Sequence, residues 1–186
     1  MEQALAPIVV KVGGSLYDLP DLAGRLRSLL RTLEPAPVLL VPGGGIVVEA
    51  IREMDRVHQL GEEASHWLAL RALNVNAHFL LHLLQRGRLV AHPDECKHAW
   101  AEEPLVMLDP HGFALWDEKN PDRLPRCWSV TSDSIAARAA VLVGAGRLIL
   151  LKSREGSIKE VVDAHFLGVV GKGVTVEVVN GRAVKN

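Results

Sequence analysis

Cysteine is almost missing from this chain of 186 residues. The two present, Cys96 and Cys127, lack any C-x-x-C spacing, which excludes a disulfide scaffold and a zinc ribbon and fits a reducing compartment. Aromatics are scarce at 4%, and no apolar run approaches the about 20 residues a spanning helix needs. Charge of one sign is not in excess either. With 21 basic against 22 acidic side chains and no basic block, the footprint of a nucleic-acid or anionic-membrane binder is absent. The opening stretch MEQALAPIVVKVGGS has no basic n-region, so neither a secretion signal nor a membrane anchor is expected and the predicted location is cytoplasmic. Repeats, linkers and low-complexity tracts are lacking too. The reading is one domain over residues 1–186, long enough to bury about 70% of its extended surface without a staple.

What is there alternates. Pro7 to Val12 is a β-branched run ending in glycines, and Asp21 to Leu33 carries leucines at helical spacing until Pro35 and Pro37 stop it. Val38 to Val41 repeats the strand pattern, runs into Pro42-Gly43-Gly44-Gly45, and is followed by a helical stretch from Ile46 to Met54. Two β-loop-α units in succession predict an α/β domain with a mostly parallel sheet between helical layers. Glu62 to Gln85 reads as the longest helix, apolar over more than one face and therefore buried or part of a subunit interface. Further strands are expected at Arg88 to Ala91, Leu105 to Leu108, Trp128 to Val130, Leu148 to Lys152 and Val174 to Val179. The Pro- and Asp-rich stretch from Pro93 to Pro125 gives no clear pattern.

Three motifs lie at predicted strand ends. Lys11-Val12-Gly13-Gly14-Ser15 sets a cation beside glycines whose amides can approach a phosphoryl group; a tight turn with a snorkelling lysine reads equally well. Gly43, Gly44 and Gly45 precede a helix whose positive end would also favour an anion. Two such loops at the carboxyl ends of neighbouring parallel strands would face one crevice. In Thr131-Ser132-Asp133-Ser134-Ile135-Ala136-Ala137 a hydroxyl caps an Ala-rich helix, and Asp133 either complements the helix dipole or holds lysines in place.

In this order, KVGGS, VPGGG and TSDSIAA resemble the amino acid kinase family over most of the chain, from Ile8 to about Lys152, with Val178-Val179-Asn180-Gly181 similar to its closing strand and turn. The resemblance implies a three-layer αβα sandwich around an eight-stranded, mostly parallel sheet, dimeric through a long helix, here Glu62 to Gln85. It also implies a small-molecule substrate, ATP as donor and Mg2+ as helper. Lys11 would neutralise charge on the transferred group, with Gly13, Gly14 and Ser15 as the phosphate-binding loop. Gly43, Gly44 and Gly45 would face the acceptor, and Asp133 would orient the lysines. Departures follow. The usual Thr-Asp strand end is replaced by Leu150-Leu151-Lys152-Ser153-Arg154-Glu155-Gly156, so Lys152 is a candidate second cation. Only about thirty residues remain for a nucleotide-binding half, within which Gly171-Lys172-Gly173 is either a substitute phosphate loop, with Lys172 its cation, or a plain turn before a strand.

The segment from His58 to Ala69 resembles short family members of methanofuran-type cofactor biosynthesis, which phosphorylate an aminomethylfuran-methyl phosphate to its diphosphate and have relatives in tetrahydromethanopterin-linked one-carbon metabolism. His58, Glu62, Glu63 and His66 would then lie near the acceptor, or simply on the solvated side of a helix. The competing reading is a catalytically weak nucleotide- or phosphate-binding regulatory subunit of the same fold. No metal site is expected, because His78 and His82 have no identifiable third ligand.

Overall fold

A computed structural model describes residues 5–184. Strands β1 (Ile8–Val12), β2 (Val38–Pro42), β3 (Arg88–Val90), β4 (Leu105–Leu108), β5 (Arg147–Lys152) and β6 (Thr175–Asn180) form one sheet in the order β3-β4-β2-β1-β5-β6. Every neighbouring pair is parallel. Helices α1 (Leu22–Leu33), α2 (Gly45–His58), α3 (Glu62–Leu84), α4 (Pro93–Glu102), α5 (Pro110–Asp117) and α6 (Ser132–Val143), with two single-turn helices α7 (Ile158–Val161) and α8 (Phe166–Val169), complete the fold. The αβα sandwich expected from the alternation is what forms.

The sheet divides two cores, and strand alternation assigns residues to them. Val9 of β1 and Leu148 and Leu150 of β5 face the α6 side, with the fully buried Ala136, Ala137, Ala139 and Ala140. Val10, Val12, Ile149 and Leu151 face the α1 side, against Leu22, Leu26 and Leu30. The alanines of α6 let the helix lie close to the sheet, and Gly144, at φ 68°, ends it in the left-handed region. Helix α3 gives Leu70 and Leu73 to the first core and Ala77, Leu80 and Leu84 to the second.

Three expectations are corrected. Trp128–Val130 is a turn inside an irregular stretch, held there by contacts from α2 and α3 described below. The stretch from Pro93 to Pro125, patternless apart from the expected strand β4, also contains the helices α4 and α5, with Pro93 and Pro110 at first-turn positions where a missing N–H costs nothing. The described sheet has six strands where the resemblance implied eight, because the chain between β5 and β6 makes only α7 and α8. Among the described residues, no helix is long and apolar enough to cross a membrane.

Candidate active site

Lys11 lies two residues past Val9 and Lys152 two past Leu150, so strand alternation turns both toward α6. There they meet Asp133, in the first turn of that helix. Lys11 Nζ is 3.0 Å from Asp133 Oδ1, and Lys152 Nζ donates to Asp133 Oδ2 at 2.7 Å and to the Val161 carbonyl at 2.5 Å. Lys11 and Asp133 are each 5% exposed. Burial alone would raise the Asp133 carboxyl pKa; the two ammoniums outweigh it and hold the pKa below the usual carboxylate range. Burial, then repulsion from Lys11, lowers Lys152. Two cations and one anion leave the floor of the site with a net charge of about +1.

The glycine loops after β1 and β2 touch backbone to backbone. A Cβ on Gly14 would fall 2.0 Å from the Gly45 nitrogen, and one on Gly43 would fall 2.3 Å from the Gly14 nitrogen. Gly45 has φ 55°, a second reason for glycine there. The Asn76 side chain, buried on α3, donates to the Gly43 and Gly44 carbonyls at 2.8 and 2.7 Å. Tyr17 Oη donates to the Gly43 carbonyl at 3.0 Å and accepts from the Gly43 amide at 2.9 Å. Burial raises the Tyr17 pKa, keeping its proton in place as a donor. These bonds occupy the Gly43 and Gly44 carbonyls.

That cleft, of about 190 Å³, opens above Lys11 between the start of α2, the first half of α3 and residues 128–135. Its apolar lining includes Val48, Leu70 and Ile135, and its polar groups include Glu49, Arg52, His66 and Trp128. The Arg52 guanidinium carbon stands 4.5 Å from the centroid of the Trp128 ring. Trp128 is fixed from two sides: its Nε1 donates to Asp55 Oδ2 and its backbone N–H to Glu62 Oε2, both at 2.7 Å. His66 is buried at the cleft wall, and burial lowers its pKa although its bond to the Cys127 carbonyl works the other way.

Lys11, Lys152, Asp133, Gly44, Gly45 and His66 thus converge on one edge of the sheet. Gly13 and Ser15 lie at the same edge, though the Gly13 amide already donates to the Leu151 carbonyl at 2.8 Å and Ser15 Oγ to Ser153 Oγ at 2.9 Å. Three other predicted contacts are engaged or exposed elsewhere: Glu62 holds Trp128, Glu63 pairs with Arg126, and His58 is exposed at the end of α2. Lys172 is corrected outright. It is exposed on the turn entering β6, and in a parallel sheet that is the edge opposite the strand ends that carry Lys11 and Lys152. Asn76 and Tyr17 were missed. Asn76 was the more visible, as a polar residue among Leu73, Ala77 and Leu80 on the buried side of α3.

Paired ammoniums under glycine loops, at the carboxyl edge of an open parallel sheet, are the layout of a phosphotransferase. The sequence profile of the amino acid kinase family matches residues 6–156, and the chain belongs to that family. The chain is 23% identical over 174 residues to the (5-(aminomethyl)furan-3-yl)methyl phosphate kinase of Methanocaldococcus jannaschii, covering 90% of this chain and 77% of that protein. Its fold is similar to UMP kinase from Ureaplasma parvum, with TM-score 0.71 and 15% identity over 96% of this chain and 91% of that one. It also resembles uridylate kinase from Archaeoglobus fulgidus, with TM-score 0.62 and 16% identity over 82% of this chain. The chain spans 65% of the length of that Archaeoglobus enzyme.

Proposed function

We propose that this protein, one domain over residues 1–186, is an ATP-dependent small-molecule kinase acting on an acceptor oxygen that is already ionised. The observation that carries this reading is the buried Lys11–Asp133–Lys152 bridge beneath the cleft. Both oxygens of Asp133 are engaged by ammoniums and its pKa is depressed, so it is a poor general base. An alcohol acceptor would need one; a phosphate or carboxylate does not. The likeness to the Methanocaldococcus kinase supports an aminomethylfuran-methyl phosphate as that acceptor. In this reading the protein serves methanofuran- or tetrahydromethanopterin-linked one-carbon metabolism in the cytoplasm.

The donor site fits the groups present, since a net positive floor and glycine loops that exclude any Cβ suit a polyphosphate. ATP supplies the γ-phosphoryl group when bound. Among the described residues no cluster of three or more His, Cys, Asp or Glu could hold a metal, so Mg2+ would be carried mainly by phosphate oxygens. In the transfer, an acceptor oxygen forms a bond to γ-phosphorus as the bond to the ADP oxygen breaks, in line. Lys11 and Lys152 hold the charge spread over the equatorial oxygens, Asp133 keeps the two ammoniums apart and aimed, and the Gly14, Gly44 and Gly45 amides cradle the phosphates. Val75 and Phe79, 57% and 41% exposed on α3, support a homodimer through that helix.

The test follows ADP and the diphosphate product from Mg-ATP and the aminomethylfuran-methyl phosphate, with Lys11→Ala as control. Product that disappears in the control is the expected result. Neither product nor calorimetric ATP binding would overturn the kinase reading; ATP binding without product would overturn only the acceptor.

A further inference from the structure

The segment after β5 passes over the N-terminus of α6, and one side chain there gathers an unusual number of donors. Asp163 Oδ2 accepts from the Thr131 amide at 3.1 Å, the Thr131 hydroxyl at 2.7 Å and the Ser134 amide at 3.1 Å. Its Oδ1 accepts from the Ser134 hydroxyl at 2.5 Å and from the His165 amide at 3.0 Å. Asp163 therefore takes the orphan N–H that a helix's own cap residue commonly serves. Thr131, the actual cap residue, is left to accept from the Asp133 amide at 3.2 Å while its own proton goes to Asp163.

The same segment also touches the lysine. Val161, two residues before Asp163, supplies the carbonyl to which Lys152 donates. A closed ring results: Lys152 to Asp133, Asp133 through Thr131 to Asp163, and Asp163 through two peptide units back to Val161 and Lys152. The catalytic lysine is clamped from both ends of one short stretch.

We propose that Asp163 is a positioning residue for phosphoryl transfer, which sets Lys152 and Asp133 relative to each other without touching substrate. This rests on the kinase reading above. A displacement of about 1 Å at reacting groups can cost about 100-fold in rate, so loosening the ring falls on kcat. Of the cleft lining, Glu49, Arg52, His66 and Trp128 make no bond to Asp163 and Thr131 does, so KM should move less than kcat.

The experiment uses Asp163→Asn, which keeps the shape but replaces one acceptor oxygen by a donor, and Ser134→Ala, which removes a single bond. Asp117→Asn is the control, because Asp117 is a buried aspartate held in an ion pair with Arg138 but lies outside the ring. Expected are a fall in kcat of about 10- to 100-fold for Asp163→Asn, a smaller fall for Ser134→Ala, KM changes smaller than the change in kcat, and unchanged kcat for Asp117→Asn at temperatures where all are folded. Wild-type kcat in folded Asp163→Asn would overturn the proposal, as would an equal loss in Asp117→Asn. Should the wild type not turn over the chosen acceptor, the failure belongs to the kinase reading. The ring is then read from the ¹⁵Nζ resonance of Lys152, assigned with Lys152→Arg. Its titration should begin below the ordinary lysine value of 10.5 and move toward it in Asp163→Asn. Identical titration in the two proteins would overturn the proposal without any activity being measured.

Discussion

Gly14→Ala puts a single methyl group where two backbones already touch. Its Cβ would lie 2.0 Å from the Gly45 nitrogen, 2.6 Å from the Gly45 Cα and 2.9 Å from the Gly44 carbonyl carbon, none of them the end of a flexible side chain. Ordinary contact begins near 3.4 Å, so the loops must separate by about 1.4 Å. Overpacking of this kind costs about 1–3 kcal/mol, which for a chain of this length lowers Tm by about 4–8 °C at the middle of that range. Activity should suffer more than stability, because the displaced atoms belong to the phosphate cradle, and a shift above 1 Å corresponds to about 100-fold or more in kcat. Thermal unfolding followed by circular dichroism and a coupled ADP assay give both numbers. Gly173→Ala is the matched control, since nothing lies within 4 Å of the added carbon. If Gly14→Ala keeps wild-type Tm and kcat, the close apposition of the two loops is wrong and the cradle with it.

Other substitutions separate the roles of the charged groups. Asp133→Asn leaves two buried ammoniums uncompensated and should cost about 3–5 kcal/mol in chemical denaturation besides abolishing turnover. Lys152, its pKa lowered by burial and by Lys11, must be protonated to hold phosphoryl charge, so activity should fall with rising pH before the ordinary lysine range is reached. Lys152→Arg, if active, should lose that alkaline limb, because a guanidinium keeps its proton. His66 is buried with a lowered pKa, so the unfolded chain takes up its proton first. Stability should therefore fall as pH drops through about 6.5, and His66→Asn should flatten that slope in urea titrations at several pH values.

Much of the site was legible because it depends on local periodicity. Val9-Lys11 and Leu150-Lys152 each step by two along a strand, and the glycine loops mark the ends of β1 and β2. Even the position of Lys172 could have been read, since a loop entering a parallel strand lies away from the loops that leave its neighbours. Groups whose roles come from distant partners were not legible. Glu62 and Glu63 looked available for a substrate ammonium, but folding gives them Trp128 and Arg126, more than sixty residues away. Trp128-Ser129-Val130 has the composition of a strand, yet Asp55 and Glu62 hold it as the wall of the cleft. Asp163 follows a stretch without regular pattern, and its value lies in donors some thirty residues earlier.

The strand order has a consequence for how the chain is made. β1 emerges first and becomes the middle of the sheet, pairing with β2 at once but waiting for β5, with 139 residues separating Ile8 from its partner Arg147. Until then, a nascent β3-β4-β2-β1 half-sheet carries Val9 and Val10, fully buried in the end, along an open edge with its backbone hydrogen bonds unmade. Such long-range parallel pairing is slow. Synthesis of the second half is therefore the period in which this protein is most exposed to joining the wrong strand, from another copy of itself.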